Sequence, residues 1–200
     1  MHGLINRSIQ CFIRDTYGED LWQEIAQTAH LPVQGFEAML EYDDDVTLGM
    51  LDAVSRRRKK SRDAVLEDVG TYLVTHTNTR PIRRLLRFGG ETFVEFLHTL
   101  DDLPDRVRLA VPDLQFPRLD TAEPLPNQVE VRLSGAEPEF GFVLMGILRA
   151  LADDYGALVF IDHSLHPKDG IIVSINLLDT AFAEGNAFSL GTSRVKENAV

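Results

Sequence analysis

The sequence has a single cysteine, Cys11, among its 200 residues. One cysteine excludes a disulfide within the chain and is typical of proteins from reducing compartments. Residues 1–7 carry neither a long apolar stretch nor a small-residue cleavage site, so we expect no secretory signal peptide there. These absences predict a cytoplasmic protein. Cys11 itself is expected to be a buried or half-buried apolar residue of a helix.

Long hydrophobic runs are absent as well. No apolar stretch of the sequence approaches the roughly 20 residues that a helix needs to cross a bilayer. We therefore expect no membrane partner for this chain.

Positive charge is scarce: 20 lysines and arginines face 31 aspartates and glutamates, which gives a formal net charge of −11. Proteins that bind nucleic acids use lysine and arginine to displace counterions from phosphates, so this balance argues against a nucleic-acid partner. The exception is the basic run at 56–60. Such a run is usually the solvated end of a helix, and less often a docking patch for an acidic partner or a nucleotide.

The motifs of common enzyme classes are also missing, since the sequence contains no Gly-rich phosphate loop, nucleophile elbow or HExxH zinc motif. We therefore predict that the chain is not an enzyme. Asp162, His163 and His166 form a small group with metal-ligand spacing. A structural zinc site normally needs four ligands, so we favour a polar hairpin turn and predict no bound metal.

Apolar residues make up 44% of the sequence, which is enough for a full core. In the first half they recur at helical spacing. This periodicity predicts helices near residues 5–13, 21–29, 46–57 and 61–74.

Glycine and proline positions predict the next two helices. Pro81 suits the first turn of a short helix, because no amide partner is lost there, and Gly89-Gly90 ends it. Thr92 then caps a strongly apolar helix. The buried side chains of this helix are predicted to be Phe93, Phe96, Leu97, Leu100 and Leu103.

Four prolines fall within 112–126, where they exclude a regular helix or a central strand. We interpret this segment as the connection between two lobes. Beyond it, alternation and helical spacing predict further elements. They are a strand at 129–133, a helix at 140–155, and a hairpin of strands at 157–161 and 171–177 whose turn contains 166–170.

The predicted fold class is α+β, with a helical N-terminal lobe packed on a C-terminal lobe that holds an antiparallel sheet and helices. We predict one domain over 1–200. The helical lobe is expected at about 1–111, the α+β lobe at about 127–185, and a flexible tail at about 186–200.

Several stretches of the sequence are similar to a known family. They are MHGLIN, DTYGEDLW, LLRFGGETFVEFLHTLDDL, RVRLAVPDL and FGFVLMGILRALADDYGALV. The chain resembles heme-nitric-oxide/oxygen-binding (H-NOX) domains nearly from end to end.

The resemblance implies a heme between the two lobes. A histidine on the helix after the Gly-Gly turn would ligate the iron, and a Tyr-x-Ser-x-Arg motif would bind the propionates. Gas binding would alter the iron–histidine bond and pass strain to a partner protein, such as a kinase, a cyclase or a diguanylate cyclase. The residues expected to line the pocket are Ile5, Ile9, Leu97, Leu100 and Leu144.

The family's iron ligand falls at Pro104 in this chain. If the helix were continuous, position 104 would lie within about 40° of Phe93 and Leu100 and would face the interior. Proline has no nitrogen that can coordinate iron, and in mid-helix it would cost about 3 kcal/mol. We therefore expect the helix to end or bend there. His98 would point about 120° away from the inward face, so we favour a partly exposed residue over an iron ligand.

The propionate motif is missing too, because no tyrosine occurs between Leu119 and Asp154. The nearest remnant is the stretch 131–135, in which Arg132 could still pair with a carboxylate. As a lone arginine on an alternating strand, Arg132 is more simply read as solvent-exposed.

Three functions remain open at this point. The preferred one is a signalling domain that keeps the fold without the usual heme ligation and acts by protein–protein contact. The second is a gas sensor that holds heme through a non-standard ligand. The third is a binder of a small apolar molecule or lipid in the pocket between the lobes.

Overall fold

The first half of the chain is helical in a computed structural model, which describes residues 1–32, 34–135, 139–166 and 170–188. Its helices are α1 (Gly3–Tyr17), α2 (Glu19–Thr28), α3 (Asp44–Arg58), α4 (Arg62–Thr75), α5 (Arg80–Arg87), α6 (Phe93–His98) and α7 (Leu103–Ala110). Short 3₁₀ turns lie at Thr77–Thr79 and Leu100–Asp102. The helices predicted from α1 to α5 are confirmed.

Local sequence signals begin and end these helices. Gly18, with φ of 95°, separates α1 from α2 in a conformation that favours glycine. Ser61 accepts a hydrogen bond from the amide of Ala64 and so caps α4. Thr92 and Glu95 form a reciprocal capping box at the start of α6, as the predicted cap requires.

The second half consists of a four-stranded antiparallel sheet and one long helix. Its elements are β1 (Arg118–Leu125), β2 (Gln128–Ser134), α8 (Glu139–Tyr155), β3 (Leu158–His166) and β4 (Gly170–Asp179). The strand order is β1-β2-β4-β3, with Val131 opposite Val173 and Ile161 opposite Ile175. The predicted α+β fold class and the β3–β4 hairpin are confirmed.

The sequence predicted that the proline-rich segment 112–126 is a connection between two lobes. In the structure it is more than a connection. Its second part forms β1, which pairs with β2 at the edge of the sheet. Pro124 lies where the pairing register shifts between Ala122 and Leu125, and an edge strand at a bulge tolerates proline because no ladder hydrogen bond is lost. The sheet therefore begins at 118, and the prediction of 127 was too late.

Strand β3 is longer than the predicted 157–161. It continues to His166, so His163 and His166 lie on a strand and not on a turn. The His163 ring packs edge-on against Phe142 at 4.9 Å between ring centroids. Among the residues that the structure describes, no group of three or more His, Cys, Asp or Glu side chains is placed to hold a metal. The predicted turn residues 167–169 lie outside the described residues.

The buried side chains form two hydrophobic clusters. The first cluster packs α1 to α4 around residues such as Phe12, Trp22 and Met50. The second packs α6 and α8 against the inner face of the sheet, with Phe96, Leu148 and Val173 among its members. Within the described ranges, no helix has both the length and the apolar character that crossing a lipid bilayer requires.

Helices α4 and α8 join the two clusters by close backbone contact. A Cβ atom added at Gly70 would lie 2.1 Å from the carbonyl oxygen of Val143. A Cβ added at Gly146 would lie 2.0 Å from the carbonyl oxygen of Glu67. Both distances are far below van der Waals contact, so only glycine permits this approach.

A buried ion cluster lies at the C-terminal end of α8. Asp154, with 5% of its surface exposed, pairs with Arg83 through two hydrogen bonds of 2.6 and 3.0 Å. Arg87 also contacts Asp154, at 3.4 Å, and its guanidinium lies over the Tyr155 ring.

The segment 183–188 packs over this cluster. Asn186 hydrogen-bonds both the backbone and the carboxylate of Asp154, and the Phe188 ring lies under the guanidinium of Arg87. Residues 186–188 are therefore held in place, although we predicted a flexible tail from 186. The remaining tail, 189–200, lies outside the described residues.

Candidate functional site

The segment in which the family would carry its iron ligand is split into three short pieces. Helix α6 ends at His98, a 3₁₀ turn follows, and α7 begins at Leu103. Thr99 has left the helical conformation, with φ of −108° and ψ of 11°. The predicted single helix through Leu103 is thus wrong, because it already breaks at Thr99. A continuous helix would drive the Pro104 ring against the carbonyl of Leu100.

Pro104 is the second residue of α7, where a missing amide hydrogen costs nothing. Its side chain is half-buried. The expected inward direction assumed a helix that runs unbroken from Phe93, and the turn at Leu100–Asp102 removes that assumption. Whatever the direction of its ring, Pro104 has no nitrogen that can coordinate iron.

His98 lies at the surface, with 51% of its side chain exposed. Its Nε2 contacts the carboxylate of Glu123, which lies on the edge strand β1. The contact joins the end of α6 to the sheet. His98 therefore has a protein partner and faces away from the second hydrophobic cluster.

Arg132 is exposed on β2. In the sheet register it lies between Asp120 of β1 and Ile172 of β4. The neighbouring carboxylate, that of Asp120, already pairs with Arg118 at 2.8 Å.

The five residues expected to line one pocket belong to two separate clusters. Leu97, Leu100 and Leu144 are 0%, 0% and 1% exposed within the second cluster. Ile9 is buried in the first cluster, and Ile5 is half-buried against it. Position 104, where the resemblance places the iron ligand, is a proline, and these leucines are covered by other side chains, so the described residues offer no fit for a heme ligated at that position.

A polar network that the sequence did not reveal ties α1 to α4. The Tyr72 hydroxyl donates a hydrogen bond to Asp15 at 2.6 Å, and Asn78 donates another at 2.9 Å. Burial opposes ionisation of Asp15, but these hydrogen bonds outweigh it and hold the pKa of Asp15 below its usual value. Burial raises the pKa of Tyr72, and the bond to Asp15 raises it further.

Replacing Tyr72 with phenylalanine should lower the free energy of unfolding by about 1–2 kcal/mol at neutral pH, since a bond to a charged acceptor is lost. A tyrosine whose pKa rises on folding stabilises the protein fully below its unfolded pKa of about 10 and loses this contribution at higher pH. The stability difference between wild type and Tyr72→Phe should therefore shrink above about pH 10. Urea unfolding at several pH values measures it, and a difference that stays constant to pH 11 would contradict the raised pKa.

The basic run 56–60 ends α3 and is largely paired within the protein. Arg57 bonds Glu24 at 2.9 Å, and Lys60 pairs with Asp68. The Arg58 guanidinium lies 4.4 Å from the centre of the Tyr17 ring. These contacts support the interpretation of the run as a helix end.

Clefts open on the described surface, and two of them are lined by arginines. One, of about 200 Å³, lies between α2 and α3 beside Arg56 and Arg57. The other, of about 530 Å³, lies between α4, α5, α8 and the 183–188 segment. We call the second the arginine cleft, because Arg80, Arg83 and Arg149 line it. In the sequence, the feature that could have indicated this cleft is the number of arginines in α5.

The lone cysteine lies half-buried on α1. Burial raises the pKa of the Cys11 thiol above its usual value. The thiol form therefore predominates at neutral pH, and the residue is a weak nucleophile.

Comparison with known proteins identifies the fold and the family together. The family model described as Haem-NO-binding matches residues 2–163. The chain belongs to the H-NOX family. This family comprises heme-based sensors of nitric oxide and oxygen, and the domain is a sensor and is not itself catalytic.

Solved H-NOX structures share the architecture over most of the chain. An H-NOX protein from S. oneidensis in the Fe(II) ligation state superposes with a TM-score of 0.76 at 19% identity, covering 94% of this chain and 100% of that one. An oxygen-binding H-NOX domain related to soluble guanylate cyclases superposes with a TM-score of 0.71 at 18% identity, with coverage of 94% and 100%.

Curated relatives are much longer proteins. Soluble guanylate cyclase 89Da of Drosophila melanogaster is 20% identical over 158 residues, which cover 79% of this chain and 24% of the relative. Soluble guanylate cyclase gcy-31 of Caenorhabditis elegans is 26% identical over 117 residues, with coverage of 58% and 17%. The chain therefore spans about a fifth of the length of these cyclases.

Proposed function

We propose that this H-NOX protein is a sensory or regulatory domain that works without a histidine-ligated heme and signals by contact with another protein. The observation that carries the proposal is Pro104, which stands where the family's iron ligand falls in the sequence. His98, the nearest alternative, is exposed and paired with Glu123.

The packing of the second cluster supports the same proposal. The predicted pocket residues Leu97, Leu100 and Leu144 make their contacts with other apolar side chains of the protein. Buried apolar surface of this kind stabilises the fold without a bound group, at roughly 25 cal/mol for each Å² removed from water. The fold can therefore persist where heme ligation has been lost.

The partner we propose is a cyclase, a kinase or a diguanylate cyclase. Support comes from the matched relatives, which are named as soluble guanylate cyclases and are about five times longer than the matched region. The domain contributes regulation and no catalysis. We place it in the cytoplasm, in keeping with its single cysteine.

Expression with added heme precursor should give protein without a stoichiometric Soret band. The variant Pro104→His should also fail to bind heme tightly. Its new imidazole would lie in the first turn of α7, and no tyrosine is present between Leu119 and Asp154 for the propionates. Absorption spectra of both purified proteins, normalised to protein concentration, measure this.

A stoichiometric Soret band in the wild type would favour a heme sensor with a non-standard ligand, which the overall H-NOX likeness supports. In that case His98→Ala should abolish the band, and His166→Ala serves as a control because His166 is an exposed histidine on β3. Strong heme uptake by Pro104→His alone would show that the propionate motif is dispensable. Native mass spectrometry of the same samples would reveal an apolar ligand, the third possibility.

A further inference from the structure

The arginine cleft brings together three arginines from two helices. Arg80 and Arg83 come from α5, and Arg149 comes from α8. The two carboxylates in the lining are Asp153 and Asp154. The lining thus carries a net positive charge of one, on a chain whose overall formal charge is −11.

The three guanidinium groups differ in how far they are already engaged. Arg83 is fixed by the buried Asp154 through Nε and Nη2, and its Nη1 makes no hydrogen bond to any residue that the structure describes. Arg149 pairs with Glu67 through Nη1 and reaches the carbonyl of Ile161 through Nη2. Arg80 is exposed and has no ion-pair partner within the described residues.

Such an arrangement suits an anion. A guanidinium presents five N–H donors and no acceptor, and its planar fork matches the oxygens of phosphate and carboxylate groups. Arg83 is held rigid by its own ion pair, so little side-chain entropy is lost when a ligand contacts it. The Thr77 hydroxyl at the same cleft adds a further donor, whereas the Thr75 hydroxyl already donates to the carbonyl of Thr71.

We propose that the arginine cleft binds a phosphate-bearing small molecule. Its volume of about 530 Å³ falls in the range of small-molecule sites, and it exceeds what a single inorganic ion fills. The phosphate contacts Arg80 and Arg149, and the free edge of Arg83 orients it. Leu97, Leu100 and Leu144, the residues expected to line a heme pocket, are not among the residues that line this cleft.

Binding at this cleft acts on the end of the domain. Asn186 and Ala187 line the cleft, and Asn186 also holds Asp154 through its side-chain amide at 2.9 Å. A ligand that contacts Arg83 therefore stabilises the packed position of the 183–188 segment.

Titration with inorganic pyrophosphate tests the site. Isothermal calorimetry at low salt should give one binding event per chain, and the amide signals of Thr77 and Arg80 should shift in ¹H–¹⁵N spectra. Arg80→Gln should weaken binding about tenfold or more, the loss expected for one charge-assisted hydrogen bond. Arg80 is exposed, so this variant should fold as the wild type does.

The matched control is Arg56→Gln, which removes the same charge at the α2–α3 cleft and should change affinity less than twofold. Equal losses for the two variants would mean diffuse attraction to arginine and would overturn the proposal. So would signal shifts centred on α3, or no binding of pyrophosphate at concentrations of several millimolar. Heme spectra do not enter these readouts, so the proposed function and the phosphate site can fail independently.

Discussion

Replacing Gly146 with alanine should destabilise the protein by about 3 kcal/mol or more. The added Cβ would lie 2.0 Å from the carbonyl oxygen of Glu67, so α4 and α8 would have to move apart. Overpacking costs typically 1–3 kcal/mol when side chains can shift, and here the obstacle is backbone. Urea unfolding followed by circular dichroism measures the change.

Gly49 supplies a matched control for this prediction. It also lies within a helix, α3, but a Cβ added there has no heavy atom within 4 Å. Gly49→Ala should therefore stabilise the protein by up to about 1 kcal/mol, because alanine is the better helix former. If Gly146→Ala proved as stable as Gly49→Ala, the close approach of α4 and α8 would be refuted.

The contact between these helices also limits how the domain can change shape. Where side chains separate two helices, rotamer changes can absorb a shift of an ångström or so. Here the α4 and α8 backbones touch at Gly70 and Gly146, so the two helices should move as one unit. Any signal passed through the domain must then come from elements that pack around this pair.

Asp154→Ala should cost about 3–5 kcal/mol of stability, the second large effect that we expect. The carboxylate is buried and pairs with Arg83 and Arg87. Removing one partner of a buried ion cluster leaves the other charges without compensation, which is where most of this cost arises. The variant also loses the hydrogen bond from the Asn186 side chain.

Asp105→Ala is the comparison for Asp154→Ala. Asp105 pairs with Arg108 on the surface of α7, and both side chains are largely exposed. Exposed pairs contribute about 0–1 kcal/mol, so this change should be small. Thermal or urea unfolding of both variants measures the change in the free energy of unfolding. Similar stabilities for the two variants would contradict a stabilising role for the buried ion cluster.

Much of the fold could be read from local patterns. Helical spacing located α1 to α4 and α8, Pro81 and Gly89-Gly90 located α5, and alternation located β2 and the β3–β4 hairpin. These patterns work because one face of each element is buried and the other is solvated. Capping residues also marked helix starts, as Thr92 does for α6.

Other features depended on partners distant in the sequence. The prolines of 112–126 suggested a connection, yet residues 118–125 pair with β2 because the sheet has an open edge there. The break of α6 came earlier than Pro104, at Thr99, whose hydroxyl bonds the carbonyl of Gly89. The spacing of residues along the sequence reveals neither the pairing with β2 nor the hydrogen bond to Gly89.

By itself, the sequence determined the family, the main elements and the absence of a histidine at position 104, since these follow from residue identity and short-range periodicity. Only the tertiary structure decided that Ile9 and Leu97 lie in different clusters and that Asp154 gathers two arginines around it. It also brought Arg80 and Arg149, 69 positions apart by their numbers, to one cleft. The reason is physical: side chains meet according to how helices and strands pack, and packing is settled by the whole chain at once.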